Sequence, residues 1–520
     1  MIPKTVDGSR PPRKLVDAEA PALDSSVSLQ GLPASVSTIS GKLLYRDRIF
    51  DLAGYTGATR PLPLRHLRVE LTRASDDSLL ASSASGADGD FLLSFEPLAP
   101  TDVKIRILSE VEGLTGVDAR VLDQAGPGGD LSQAQPLIRE VIQITGLGPG
   151  VSLDLQNLLL SDDASNDTLG AFNLLDCLLD AVELLQEPAW LGAPPSQLPV
   201  AIWAPSSTQG TSSYQDGVFR IASPGGGDDD SWSDSVLLAL VGRWFLQTYG
   251  RVDLSVGFSG LDLDRDPLSS FGDGAALVFG SLVRQHRATS RQDEDGNPAD
   301  GLVSTYVDLS FPPPLGFPGA AQDGFDLETR ALSYGDSLAA RGQRSVGNVA
   351  AMLWDLVDDT NTPDTSPGDD DPRQDSAVDG GARYFHVLTA DLPALPGSEA
   401  ISYEDFHEAW RADYAEDSAL FQIAVTQGRT ALFDDALEPD DDYQQLPLDA
   451  AWVQPEPLAG ASVVIGELFL GDSDWVELTN AGQTPVSLQG YSVIAHRNGF
   501  SAGSERVATL PSVFQLGPGR

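Results

Sequence analysis

The spacing of the apolar residues changes twice along this chain, and those two changes restrict the folds open to it. From Thr38 to about residue 110, Val, Leu, Ile and Phe return at every second position in GKLLYRDRIF, LRHLRVELTRA, GADGDFLLSFEP and DVKIRILS, with Gly-Asp turns between the segments. Period two broken by turn residues predicts a small antiparallel β-sandwich over 38–110. Between about 155 and 445 the spacing is helical in LGAFNLLDCLLDAVELLQ, SDSVLLALVGRWFLQTYGRVD, DPLSSFGDGAALVFGSLVRQH, SVGNVAAMLWDLVDD and SYEDFHEAWRADY, while LPVAIWAP and GVFRIAS read as strands. Helices in the majority around one mixed sheet predict an α+β domain. Ser402 and Asp405 fit a capping signal at the start of the last helix. Over 446–520 period two returns in VVIGELFLGDSDWVELTNAGQTPVSLQGYSVIAHRNG. What remains is a Pro-, Ser- and Ala-rich leader at 1–37, read as disordered, and a passage at 111–154 around QAGPGGDLSQAQ, read as a linker with short strands.

A length of 520 residues accommodates several domains, each with its own core. The formal charge of -44 argues against nucleic acid and anionic lipid as partners, because a surface that acidic repels phosphate. It attracts cations instead. The start has no apolar stretch of signal-peptide type, and no segment approaches the roughly 18 apolar residues of a membrane span. The end, LPSVFQLGPGR, breaks off within a strand-turn-strand pattern, so a truncated chain is expected. Cys177 is the single cysteine, falls in an apolar helical stripe and reads as a buried inert thiol.

Three resemblances follow from these segments. The order of a strand, a long loop and LRVELTRASDDSLLASSASGADGDFLLSF resembles prealbumin-like or carboxypeptidase-regulatory-like modules, over about 70 residues. The C-terminal segment resembles the lamin-tail domain, an Ig-like β-sandwich. Its match lies in Val464, Ile465, Glu467, the run Asp474 to Leu478, Asn480, Pro485, Val486, Leu488, Gly490 and Tyr491. In the middle, the helix GAFNLLDCLLDAVELLQ, the strand VAIWAP, GVFRIAS, the acidic loop GGGDDDSWSD, the helix from DSVLL, the connection VGFSGLDLDRDP, SSFGDGAALVFGSLV and NVAAMLWDLVDD come in an order similar to the bacterial gluzincin-like zinc metallopeptidases. The resemblance implies a multidomain chain: a β-sandwich, then an α+β zincin-like domain, then an Ig-like lamin-tail β-sandwich.

Zincins carry His-Glu-x-x-His on a helix because i and i+4 share a face, so both imidazoles reach one zinc ion while the Glu polarises its water. A further Glu follows on the next helix. Placed on this pattern, the first His falls on Ala239, the Glu on Leu240, the second His on Arg243 and the third ligand on Asp273. Ala and Leu bind no metal, and Arg repels one. The resemblance therefore implies a peptidase domain without zinc and without catalysis, with Arg243, Trp244 and Asp273 facing the former zinc cleft and Arg243 paired to Asp273 in place of the metal. An unrelated apolar core helix is the alternative reading of the same stretch.

Other constellations are weaker. His66, His286, His386, His407 and His496 offer no pair at ligand spacing, and His407-Glu408 reads as a chance dipeptide on a surface helix. Gly335 to Leu338 copies a GDSL hydrolase signature but lacks the buried strand before it and any later Asp-x-x-His. The turn DEDGNPAD, with Asp293, Asp295, Asn297 and Asp300, reads either as a solvated acidic loop or as a calcium-binding turn, as does the looser run from Asp358 to Asp375. The expectation is a non-catalytic binding or adhesion protein with no cofactor other than calcium, a protein or polysaccharide ligand, and an extracellular or cell-surface setting taken from the company of its domains. The alternatives are a hydrolase using Asp264 with Asp273 in the same cleft, and a pure spacer in an adhesin.

Overall fold

The computed structural model describes residues 35–123, 131–161, 168–250 except 196, 252, 267–309 except 294, 295, 301 and 302, 318–320, 323–327, 345–357, 380–394 and 401–414, together with six strands between 463 and 516. The chain divides into two compact units, Met1–Asp434 and Asp435–Arg520. It is a mixed α/β structure with several sheets.

In the first unit, β1 (Ser37–Asp51), β2 (Gly54–Pro63), β3 (Leu67–Arg73), β4 (Leu79–Ala84), β5 (Asp90–Phe95) and β6 (Thr101–Val111) realise the period-two segment. Burial alternates strictly along β5, and Val103, Ile105 and Ile107 of β6 are buried every second residue. Side chains of one strand face leave water together, which is why the alternation predicts strands. These strands form two sheets. One has β1 paired with β2 and β5, and the other runs β4-β3-β6. Gly89, with φ of 80°, makes the turn into β5, and its carbonyl accepts from Leu43 N on β1; a side chain there would meet the β1 backbone.

The passage read as a linker is part of these sheets. After β7 (Val121–Asp123) and β8 (Gln135–Pro136), β9 (Ile138–Leu147) pairs antiparallel with β6, and β10 (Ser152–Leu160) pairs parallel with β1. A third, mixed sheet takes β7 and β8 together with β11 (Val200–Ile202), β12 (Ser213–Gln215) and β13 (Val218–Arg220). Asp216 and Gly217, both at positive φ, close the β12–β13 hairpin as a two-residue turn requires.

Helix α1 (Leu169–Gln186) is buried around nearly its whole circumference. Helix α2 (Asp234–Phe245) runs into a π-helical turn at Leu246–Gly250, and α3 (Pro267–Ser290) packs along it. The strands β14 (Thr305–Asp308) and β16 (Asp323–Asp326) form a hairpin, and β15 (Gly319–Ala320) adds to β2. Helices α4 (Val346–Val357), α5 (Gly380–His386) and α6 (Tyr403–Asp413) complete the unit. Ser402 and Asp405 form a reciprocal cap: Ser402 N donates to Asp405 Oδ2 at 2.7 Å and Asp405 N to Ser402 Oγ at 3.4 Å. The surface position expected for His407 is corrected: it is 1% exposed, beside Tyr403.

The boundary expected at residue 110 is likewise replaced by a buried ionic seam. Arg65, in the turn between β2 and β3, donates to Asp176, Asp180 and Glu183 of α1 at 2.6–2.8 Å. Arg291 reaches the same Asp176 and Asp180 at 3.0 and 2.6 Å, and Arg287 of α3 bonds Asp234 at 2.6 Å and also Asp300. Arg48 of β1 lies 4.7 Å over the ring of Trp232. Truncating one member of such a seam leaves a buried charge, so the strand layer and the helices stand or fall together.

Among the described residues, the second unit has three antiparallel pairs: β17 (Val463–Phe469) with β18 (Trp475–Asn480), β20 (Ser492–Ala495) with β21 (Arg506–Thr509), and β19 (Val486–Ser487) with β22 (Gln515–Leu516).

Candidate functional site

The four positions where a zinc site is expected lie on two helices in contact, α2 and α3. The consecutive residues Leu237, Leu238, Ala239, Leu240 and Val241 are all buried and go right round α2, so it sits inside the unit rather than on its surface. Gly242 lets it approach α3 closely: a Cβ at that position would stand 2.5 Å from the Ala276 carbonyl oxygen and 2.9 Å from its Cα. Gly274 does the same between α3 and α4, where a Cβ would stand 2.8 Å from Val349. Each glycine neighbours one charged residue of the site in sequence. Close approach at Gly242 and Gly274 therefore positions Arg243 opposite Asp273.

Arg243 Nη1 lies 2.7 Å from Asp273 Oδ1, and the two side chains are 5% and 2% exposed. An ion pair so thoroughly removed from water is held by the geometry around it, since desolvation offsets most of its Coulombic attraction. Ala239 and Leu240, on the same helix, are 6% and 4% exposed, and Trp244 is 2% exposed with its ring at 6.0 Å from that of Tyr249. The structure thus brings Arg243 and Asp273 together, and Trp244, the third residue expected at the former zinc cleft, is buried next to Arg243 in sequence. All three are buried, and the helices that carry them approach closely at Gly242 and Gly274.

This arrangement offers little chemistry. A carboxylate held by a guanidinium at 2.7 Å is a poor general base, and a permanently charged arginine takes no proton. Asp264, its expected partner in a hydrolase, lies outside the described residues, as do the GDSL signature and the acidic run from Asp358. Of the acidic turn, Asp295 also lies outside them. Asp293 accepts from Asn297 N at 2.8 Å and from its amide at 3.1–3.3 Å, on an exposed turn. Asp300 faces inward at 4% exposure, with Arg284 at 2.8 Å and Arg287 on its carboxylate. That engagement removes Asp300 from a calcium set on the turn.

The seam was not part of the sequence expectation, although a signal for it exists. Asp176, Asp180 and Glu183 recur at i, i+4 and i+7 on an otherwise apolar helix, and Arg284, Arg287 and Arg291 recur at i, i+3 and i+7 near the end of α3. Charges on the inner stripe of two buried helices must find each other. Their electrostatics differ by site. Burial works to raise the Asp176 carboxyl, but Arg291 and Arg65 outweigh it and hold it below the usual range. Arg284 and Arg287 similarly overcome burial to hold Asp300 well below that range. At Asp47 burial prevails over Arg60 and pushes the carboxyl up to about 6. The Cys177 thiol is raised by burial, which keeps it protonated and unreactive.

No protein-family model matches the chain. No curated protein matches it either. Among solved structures the chain is similar to the precursor of protealysin, a metalloproteinase from Serratia proteamaculans, with 11% identity and a TM-score of 0.32 over 60% of this chain and 86% of that one. It is also similar to a 9R-lipoxygenase from Cyanothece, with 13% identity and a TM-score of 0.16 over 32% of this chain and 24% of that one. Neither score is high enough to assign a fold. No described helix is long and apolar enough to cross a membrane.

Proposed function

We propose that this chain is a non-catalytic binding or adhesion protein, built on a metallopeptidase-like domain whose zinc ligands have been replaced, and carrying a lamin-tail-like module at its C-terminal end. The observation that supports it is the buried pair of Arg243 with Asp273, two of the four positions to which the zincin resemblance assigns metal chemistry. A lone carboxylate already neutralised by a guanidinium leaves zinc neither the ligands nor the charge it needs. Ala239 and Leu240 at the remaining two positions add only apolar surface. On this reading the ligand is a protein or polysaccharide bound on outer faces of the units, and the setting is extracellular or at a cell surface.

The hydrolase reading is disfavoured by the same pair, since Asp273 is 2% exposed and occupied by Arg243. Incubation of the purified chain with casein and with mixed polysaccharides tests the proposal. Binding without product release agrees with it. Turnover that Asp273→Asn abolishes while the variant keeps the natural chain's circular dichroism would restore the enzyme reading.

A further inference from the structure

Nearly every buried carboxylate named so far has an arginine partner: Asp47 has Arg60, Asp176 and Asp180 have Arg65 and Arg291, Asp234 and Asp300 have Arg287, and Asp273 has Arg243. One group departs from this rule. Asp228 and Asp230, in the loop before α2, meet Asp308 at the end of β14, and one oxygen from each lies within 4.8 Å of the others. Among the described residues, the charged groups acting on Asp230 and Asp308 are other acids, Asp228 and Asp323 among them, and neither carboxyl is ion-paired to an arginine or lysine.

The cluster is built into the fold. Asp230 is 2% exposed. Its Oδ2 takes the Ser212 hydroxyl, whereas its Oδ1 is buried with no hydrogen-bond donor among the described residues. Asp308 Oδ1 is buried in the same condition, and the two carboxyls stand within hydrogen-bonding reach of each other. Two carboxyl groups this close and out of water cannot both ionise without strong repulsion, and apart from the Ser212 hydroxyl on Asp230 the described residues offer them only a proton shared with each other.

We infer that Asp228, Asp230 and Asp308 form a binding site for one calcium ion. An all-oxygen, all-carboxylate set selects a hard divalent cation, and calcium–oxygen distances of 2.3–2.6 Å place two ligands of one ion no more than about 5 Å apart. Calcium fits better than magnesium because it accepts a variable number of ligands without ideal octahedral geometry. The ion joins the loop before α2 to the β14–β16 hairpin at a point where Leu309 N already donates to Ser233 Oγ at 3.2 Å. Asp323 sits opposite Asp308 in the hairpin register and adds negative charge behind the site.

The full chain, stripped with a chelator and returned to 150 mM sodium chloride, tests this by calcium titration with equilibrium dialysis and thermal melting. The natural chain is expected to bind one more calcium per chain than the double variant Asp230→Asn, Asp308→Asn, and to melt higher with calcium than with chelator. The double variant, relieved of its repulsion, is expected to melt at least as high as the natural chain in chelator and to gain no such calcium increment. Equal calcium stoichiometry and equal thermal response in the two proteins would overturn the assignment, because diffuse attraction to an acidic surface would then account for all the binding. So would a natural chain that gains stability on acidification to pH 5 and nothing from calcium at pH 7, a result showing that protons alone neutralise the cluster.

Discussion

Replacing Arg243 by Met removes a guanidinium that lies 2.7 Å from Asp273 and leaves that carboxylate charged at 2% exposure. Breaking a buried pair from one side costs about 3–5 kcal/mol. Against a domain stability of roughly 5–15 kcal/mol, that loss moves the first unit close to its unfolding threshold. Asp273→Leu strands the arginine instead and is expected to cost a similar amount. Combining Arg243→Met with Asp273→Leu restores an uncharged contact between α2 and α3, so the double variant is expected to lose much less than the sum of the two singles. A coupling above about 2 kcal/mol is the quantitative expectation for groups in direct contact. Urea denaturation followed by near-ultraviolet circular dichroism reads it, with Trp244 one residue from the substitution as a local reporter. Additivity within about 0.5 kcal/mol would refute the reasoning, since it would mean that the two charges are solvated separately.

Three further expectations follow from the packing and the seam. Gly242→Ala should lower stability by about 1–3 kcal/mol because the new methyl meets the α3 backbone at Ala276, whereas Gly148→Ala, with only an ordinary contact at 4.0 Å, should stay within about 0.5 kcal/mol; thermal melts compare them. Arg65→Leu should release β1–β3 and α1 from common protection in hydrogen exchange, at a cost of about 3–5 kcal/mol, because Asp176, Asp180 and Glu183 lose a shared partner. Stability in chelator should pass through a maximum near pH 4–6. Asp176 and Asp300, held low, contribute stability above their unfolded values that disappears as pH falls through the folded ones, while Asp47, raised to about 6, contributes stability below pH 4 that is lost as pH rises through 6. A melting temperature that climbs steadily from pH 4 to 8 would contradict this sign for Asp47.

The local elements were legible because their cause is local. Alternation in FLLSF and DVKIRILS gives β5 and β6, and the apolar spacing of DSVLLALVGRWF gives α2. The division at residue 110 was not legible, because the partners that remove it are far apart in sequence. Leu153 pairs with Ile39, and Arg65 bonds Asp176, each across more than 100 residues. The fate of Arg243 and Asp273 was partly legible. Their types and their place on successive helices suggested a pair, but the exclusion of water around them depends on Gly242 and Gly274 meeting backbone on neighbouring helices. The acidic loop GGGDDDSWSD gave no hint of its partner either, since Asp308 follows Asp230 only after two helices.

The central claim is that the zinc chemistry of a peptidase has been replaced by a buried ion pair. Elemental analysis of the purified natural chain, after incubation with excess zinc and gel filtration, tests it most directly, with casein cleavage assayed on the same sample. The account predicts far less than one zinc per chain and no cleavage that a chelator blocks. One tightly held zinc per chain together with chelator-sensitive cleavage would contradict it.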